Sequence, residues 1–69
     1  MDFKALQYTM AIARHHSFTF ASEELHITQS ALSQYMINLE DELGLKLFER
    51  SDKKYIPTYA GRRYLEYAH

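Results

Sequence analysis

Apolar residues recur at Phe3, Leu6, Met10 and Ala13, an i, i+3, i+7, i+10 spacing that lines one side of a helix and predicts an amphipathic α-helix over residues 3–14. Asp2 stands in front of it as a capping residue, and His15, His16 and Ser17, poorer helix formers, end it. Ser17 can cap a second helix from Phe18 to Leu25 with Phe18, Ala21 and Leu25 on its core side. A break follows at His26-Ile27-Thr28. Thr28 then caps a third helix, Gln29 to Leu43, whose stripe is Leu32, Met36, Leu39 and Leu43, and Gly44 is placed to end it. The apolar stripes of these three helices are assigned to the core.

Two helices joined by about three residues form a helix-turn-helix. The close crossing of such helices needs a small residue on the first, which Ala21 supplies, and the turn needs an apolar plug, which Ile27 supplies. After Gly44 the period shortens. Leu45, Leu47 and Glu49 alternate with Lys46, Phe48 and Arg50, and Tyr55-Ile56 is a second β-prone run ended by Pro57. The polar segment Ser51-Asp52-Lys53-Lys54 lies between them, so residues 45–57 are expected to form a β-hairpin with a basic tip, a wing. Thr58 can cap a last helix, Tyr59 to His69, with Ala60, Tyr64 and Ala68 on one side and Leu65 beside them. The helical pattern runs to the last residue without a Gly or Pro stop, as expected of a fragment. The predicted fold is mostly α, a winged helix-turn-helix: a three-helix core, a small hairpin wing and the start of a linker helix. Its domain organisation is 1–58 for the winged domain and 59–69 for the helix.

A chain of 69 residues holds one domain with a thin core. It has no cysteine, hence neither a disulfide nor a thiolate metal site. The four histidines, His15, His16, His26 and His69, do not share metal-ligand spacing, no paired catalytic carboxylates stand out, and two glycines make no phosphate loop. Ser30 and Ser33 have no evident partner base and acid. Neither an enzyme nor a cofactor is expected. No apolar run reaches the ~20 residues of a membrane span, and Met1-Asp2-Phe3-Lys4 lacks the basic start and apolar run of a secretion signal. The net charge of -1 departs from the basic character usual in nucleic-acid binders. Its distribution is uneven, however: acids cluster at Glu23-Glu24 and Glu40-Asp41-Glu42, and bases gather later at Lys46, Arg50, Lys53, Lys54, Arg62 and Arg63, which permits one basic face.

The stretch from Ser17 to Gln34, SFTFASEELHITQSALSQ, resembles the helix-turn-helix of LysR-type bacterial transcriptional regulators. So does Leu39 to Arg50, LEDELGLKLFER, with the family's LE-x-x-LG-x-x-LF-x-R phrase, and Thr58-Tyr59-Ala60-Gly61 resembles the T-x-A-G that opens its linker helix. The resemblance covers essentially the whole chain. It implies a homo-oligomeric gene regulator of the bacterial cytoplasm, acting at the nucleoid. Two copies would pair through the linker helix, and a small-molecule co-inducer would bind a separate C-terminal domain absent from this chain. It also implies recognition of an imperfect inverted repeat with a T in one arm and an A in the other. The chain departs from the family pattern at Ser30, commonly proline, at Gln34, commonly arginine, and at Ser22, the second alanine of the usual pair.

A recognition helix sets its N-terminal turns against base edges in the major groove. On the third helix Gln29, Ser30, Ser33 and Gln34 point away from the apolar stripe. Gln29 and Gln34 are the candidate base readers, since glutamine can bond adenine at both ends of its amide. Their competing role is only to solvate the helix. Ser33 can donate or accept, and Ser30 with the helix N-terminus can take a phosphate. Tyr35 has two possible places, on DNA or packed under the wing. Arg50, Lys53 and Lys54 are candidates for phosphate or minor-groove contact from the wing, with Arg62 and Arg63 beside the backbone. The competing function is a winged-helix module that binds protein without DNA. Salt distinguishes the two, because phosphate neutralisation weakens steeply with ionic strength and an apolar interface does not.

Overall fold

A computed structural model of the chain describes residues 2–67, and within them it forms the expected winged helix-turn-helix. Helices α1 (Phe3–His15), α2 (Phe18–Leu25) and α3 (Gln29–Leu43) precede an antiparallel hairpin of β1 (Phe48–Ser51) and β2 (Lys54–Pro57), and α4 (Tyr59–Glu66) follows. The expected continuation of α4 through Ala68 and His69 lies outside the described residues.

Each predicted cap is made. Asp2 Oδ1 accepts from the Lys4 N–H at 3.1 Å, Ser17 Oγ from Phe20 at 3.1 Å, Thr28 Oγ1 from Ala31 at 3.0 Å and Thr58 Oγ1 from Gly61 at 3.0 Å, so every helix begins with an otherwise orphaned donor satisfied. Gly44 ends α3 in the left-handed conformation, and His16 and His26 do the same for α1 and α2. The core is Ala11, Ile12, Ala21, Leu32, Met36, Leu47 and Phe48. Ala21 is fully buried at the crossing of α2, and Ile27 packs against the core from the turn, as the sequence pattern requires.

The face that α1 buries is not the predicted stripe. Phe3 is 78% exposed and Leu6, Met10 and Ala13 are only half-buried, whereas Ala5, Thr9, Ala11 and Ile12 are buried. Ala5, Thr9 and Ile12 fit helical spacing as well as the larger residues do. The smallness of Ala5 and Thr9 lets neighbouring elements approach the α1 backbone, Ile12 fills the core as one of its largest fully buried side chains, and the one polar member is satisfied within its own helix, Thr9 Oγ1 donating to the Ala5 carbonyl at 2.7 Å. The far end of the α3 stripe also leaves the core, with Leu43 41% exposed. Strand alternation begins later than expected: Leu45 is exposed, Lys46 and Leu47 precede β1, and Leu47 and Phe48 are buried in succession. Leu47 is pinned from both sides. Its N–H donates to Glu40 Oε2 at 2.7 Å, and its carbonyl accepts from the Thr58 N–H at 2.9 Å. Thr58 Oγ1 also donates to the Lys46 carbonyl at 2.7 Å. α4 then lies with Gly61 directly on the Leu47 backbone.

Charge ties α1 to α2. Arg14 pairs with Glu24 Oε2, and His15 Nε2 meets Glu24 Oε1 at 2.7 Å. The His15 bond first, then the Arg14 bond, holds the Glu24 carboxyl below its ordinary value of 4.5. A depressed carboxyl stabilises the fold fully above the ordinary value, and that contribution is lost as pH falls from there through the folded-state value. Glu24→Gln is therefore expected to lower the urea midpoint at neutral pH, and the gap to the unsubstituted chain should close in strong acid. A gap that persists unchanged in acid would remove ionisation from the explanation.

Candidate nucleic-acid interface

The first turns of α2 and α3 and the wing meet in a polar groove lined by Ser17, Phe18, Thr19, Gln29, Arg50, Lys53 and Tyr55. The wing is fastened there through Tyr55. Its N–H donates to the His16 carbonyl at 3.0 Å, and its own carbonyl lies 3.2 Å from His16 Nδ1. Its ring meets Phe18 edge-on with centroids 4.5 Å apart. Tyr55 is the cross-strand partner of Arg50, whose Cζ lies 4.7 Å from the ring centroid and whose Nη1 donates to Tyr55 Oη at 2.8 Å. Arg50 is thus laid along an aromatic ring rather than left to sample solvent.

Asp52 and Lys53 occupy the two turn positions of the hairpin with φ of 50° and 66°. Positive φ at both central residues is the signature of the type I′ turn, which matches strand twist and favours Asn-Gly. Lys53 in the left-handed region costs roughly 1–2 kcal/mol that glycine would not. The tip accepts this strain and carries a cation beside the groove.

The predicted site residues fall into three groups. Gln29, Arg50 and Lys53 line the one groove. Ser30 and Gln34 are exposed on the side of α3 opposite Leu32 and Met36, and Ser33 is half-buried on its flank. Lys54 is exposed on the wing but does not line the groove. Gln34 Nε2 donates to Asn38 Oδ1 at 3.0 Å, and Thr19 Oγ1 donates to Gln29 Oε1 at 3.0 Å. Tyr35 takes neither of its expected places. Its ring meets Tyr8 of α1 edge-on at 4.8 Å and its hydroxyl donates to Asp2 Oδ2 at 3.0 Å. Burial, reinforced by the Asp2 bond, pushes the phenol up to about 12. Arg63 pairs with Glu66 at 3.8 Å, and Arg62 reaches the Pro57 carbonyl at 3.4 Å. Ser17 and Thr19 were not among the predicted site residues. Ser17 announces itself only as a cap, and a lone threonine in a first helical turn gives no further signal.

The charge of the groove differs from that of the chain as a whole. Glu24 is committed to Arg14 and His15, and Glu40 to the Leu47 N–H and, at 3.7 Å, to Lys46 Nζ. No carboxylate lines the groove, and among the described residues Arg50, Lys53 and Lys54 make no ion pair. Glu24 and Glu40 are spent on holding elements together, and the wing cations are left without an ion pair. Among the described residues there is also no cluster of three or more side chains able to hold a metal, and no helix long and apolar enough to cross a membrane.

Comparison with known proteins agrees with this arrangement. The family model described as bacterial regulatory helix-turn-helix protein, lysR family, matches residues 3–62. The chain is 52% identical over 68 residues to the uncharacterized HTH-type transcriptional regulator YcgK of Bacillus subtilis, covering 99% of this chain and 21% of that protein. It is 46% identical over 68 residues to the RuBisCO operon transcriptional regulator of Allochromatium vinosum, covering 99% and 22%. The chain thus spans about a fifth of the length of the curated relatives it matches. Among solved structures, the BenM_DBD/catB site 1 DNA complex superposes with a TM-score of 0.90 at 38% identity, covering 99% of this chain and 76% of that one. The CbnR_DBD-DNA complex gives 0.88 at 37% identity, covering 99% and 78%. With the family model matched from α1 into α4 and the fold shared throughout, the chain belongs to the lysR family of bacterial regulatory helix-turn-helix proteins.

Proposed function

We propose that this chain binds double-stranded DNA sequence-specifically as the reading head of a LysR-type transcriptional regulator. The observation that carries the reading is the groove in which the first residue of α3, Gln29, stands beside two wing cations, Arg50 and Lys53, with no carboxylate among its lining. Such a surface suits a duplex, with α3 in the major groove and the wing on the adjacent backbone or minor groove. Gln29 and Gln34 read base edges. Ser30 and Ser33 bond phosphate or base, and Arg50, Lys53 and Lys54 neutralise phosphates. Residues 1–58 serve as the reading head, and the segment 59–69, which opens with α4, serves as the start of the linker through which two copies pair on the arms of an inverted repeat. The small-molecule co-inducer of the whole regulator binds a separate domain. The family is one of regulators rather than an enzyme class, and the bacterial cytoplasm is where such a protein works.

The roles separate by mutation. Lys53→Glu should weaken binding to all duplexes about equally and reduce the slope of log affinity against log salt by about 1. Gln34→Ala should instead change the ratio between duplexes by roughly 1–3 kcal/mol at one base position. Anisotropy titrations across a duplex panel read both. Discrimination unchanged by Gln34→Ala would take that residue off the reading surface.

A further inference from the structure

We infer that Thr19 is a positioning residue that polarises Gln29, so that its amide reads a base edge made only of acceptors, guanine first, rather than adenine; the inference rests on the DNA-reading assignment above. Glutamine reads adenine by using both ends of its amide at once, Oε1 accepting from N6 and Nε2 donating to N7. Here the Thr19 hydroxyl donates to Gln29 Oε1 at 3.0 Å. The two residues belong to helices whose backbones are fixed against each other, Thr19 in the first turn of α2 and Gln29 at the start of α3, with Ala21 buried between. The Thr19 carbonyl is itself held, accepting from the hydroxyl of buried Ser22 at 2.7 Å.

The bond draws the carbonyl end of Gln29 toward α2 and leaves the amino end to face a ligand. That end carries two hydrogens and accepts nothing. Arg50 and Lys53, in the same groove, are likewise donors only. Guanine, with N7 and O6 side by side, matches such a surface. Thymine offers O4, cytosine opposes it with an N4 amino group, and adenine offers N7 beside an amino group that Gln29 Oε1, drawn toward Thr19, is turned away from. Gln34 has the opposite polarity. Its Nε2 is engaged by Asn38 Oδ1 at 3.0 Å, which turns its oxygen outward and makes it an internal control.

The test is selection from a randomised duplex library with the unsubstituted chain, Gln29→Ala, Thr19→Val and Thr19→Ser, followed by direct titration of single-base variants of the selected site. Thermal melts establish that each variant is folded. Gln29→Ala locates the position that Gln29 reads by erasing its preference. There the unsubstituted chain and Thr19→Ser should favour guanine over adenine, and Thr19→Val should move that ratio about fivefold to tenfold toward adenine while leaving the other positions unchanged. A guanine preference retained by Thr19→Val, an adenine preference in the unsubstituted chain, or a Gln29→Ala variant that selects the same site would each overturn the inference. No sequence enriched by the unsubstituted chain or by a version of it extended with a longer dimer helix would overturn the DNA-reading assignment and this inference with it.

Discussion

Gly61→Ala is expected to destabilise the domain by about 3 kcal/mol or more, the upper end of what overpacking does. A Cβ at this position would fall on the carbonyl oxygen of Leu47, with the carbonyl carbon 3.0 Å and the Cα 3.4 Å away. All three are backbone atoms, so no side chain can swing aside. Nor is that backbone free to retreat, since the Leu47 N–H is held by Glu40 at 2.7 Å and its carbonyl by the Thr58 N–H at 2.9 Å. The sign is diagnostic. In an ordinary helix interior the same substitution stabilises by roughly 0.5–1 kcal/mol. A 69-residue domain has a total stability of only roughly 3–10 kcal/mol, so the variant should be largely unfolded or melt lower by ten degrees or more, at about 4–8 °C per kcal/mol. Thermal and urea denaturation decide the point, and an unchanged or raised melting temperature would mean that α4 does not sit on Leu47.

Leu32→Ala is expected to cost about 2–5 kcal/mol, because it removes a fully buried side chain at the junction of α3 with the core and leaves a cavity there. Its value as a test comes from comparison with a neighbour. Gln34, two residues on, is exposed, and its truncation should change stability by no more than about 0.5 kcal/mol. The two substitutions therefore act on opposite sides of one helix. Leu32→Ala lowers apparent DNA affinity by lowering the folded fraction, with affinity per folded molecule unchanged, whereas Gln34→Ala alters discrimination in a fully folded domain. Parallel urea titrations and binding curves separate these effects. If the cost of Leu32→Ala fell below 1 kcal/mol, α3 would not be anchored as described.

The elements were legible in the sequence because their ends are marked chemically. Asp2, Ser17, Thr28 and Thr58 cap helices both in the pattern and in the structure, and Gly44 closes α3. What the pattern misjudged was which side of α1 faces inward. Hydrophobic periodicity weights large residues, and here the buried side combines one of them, Ile12, with Ala5 and Thr9, the hydroxyl of Thr9 being hidden by a bond to its own helix. Close packing selects small residues, which carry little hydrophobic signal. Gly61 was missed as a packing residue for the same reason. Tyr35 was misplaced because a tyrosine offers both a ring and a hydroxyl, and only the fold reveals that Tyr8 takes the one and Asp2 the other. The candidate site was partly legible. Gln29, Arg50 and Lys53 could be named from their elements, but their convergence depends on the His16–Tyr55 bonds and the Phe18–Tyr55–Arg50 stack. The His16 and Phe18 contacts of Tyr55 join residues some forty positions apart and have no local signature.

The most direct test of the central claim is fluorescence anisotropy with a labelled duplex carrying an inverted repeat of the LysR type, titrated at two salt concentrations against a scrambled duplex. The account predicts tighter binding to the repeat than to the scramble, with affinity for both falling steeply as salt rises, by a slope of about 0.9 for each phosphate neutralised. Binding to neither duplex at low salt and high protein concentration, by the chain and by a version extended with a longer dimer helix, would contradict it and leave the winged helix as a protein-binding module.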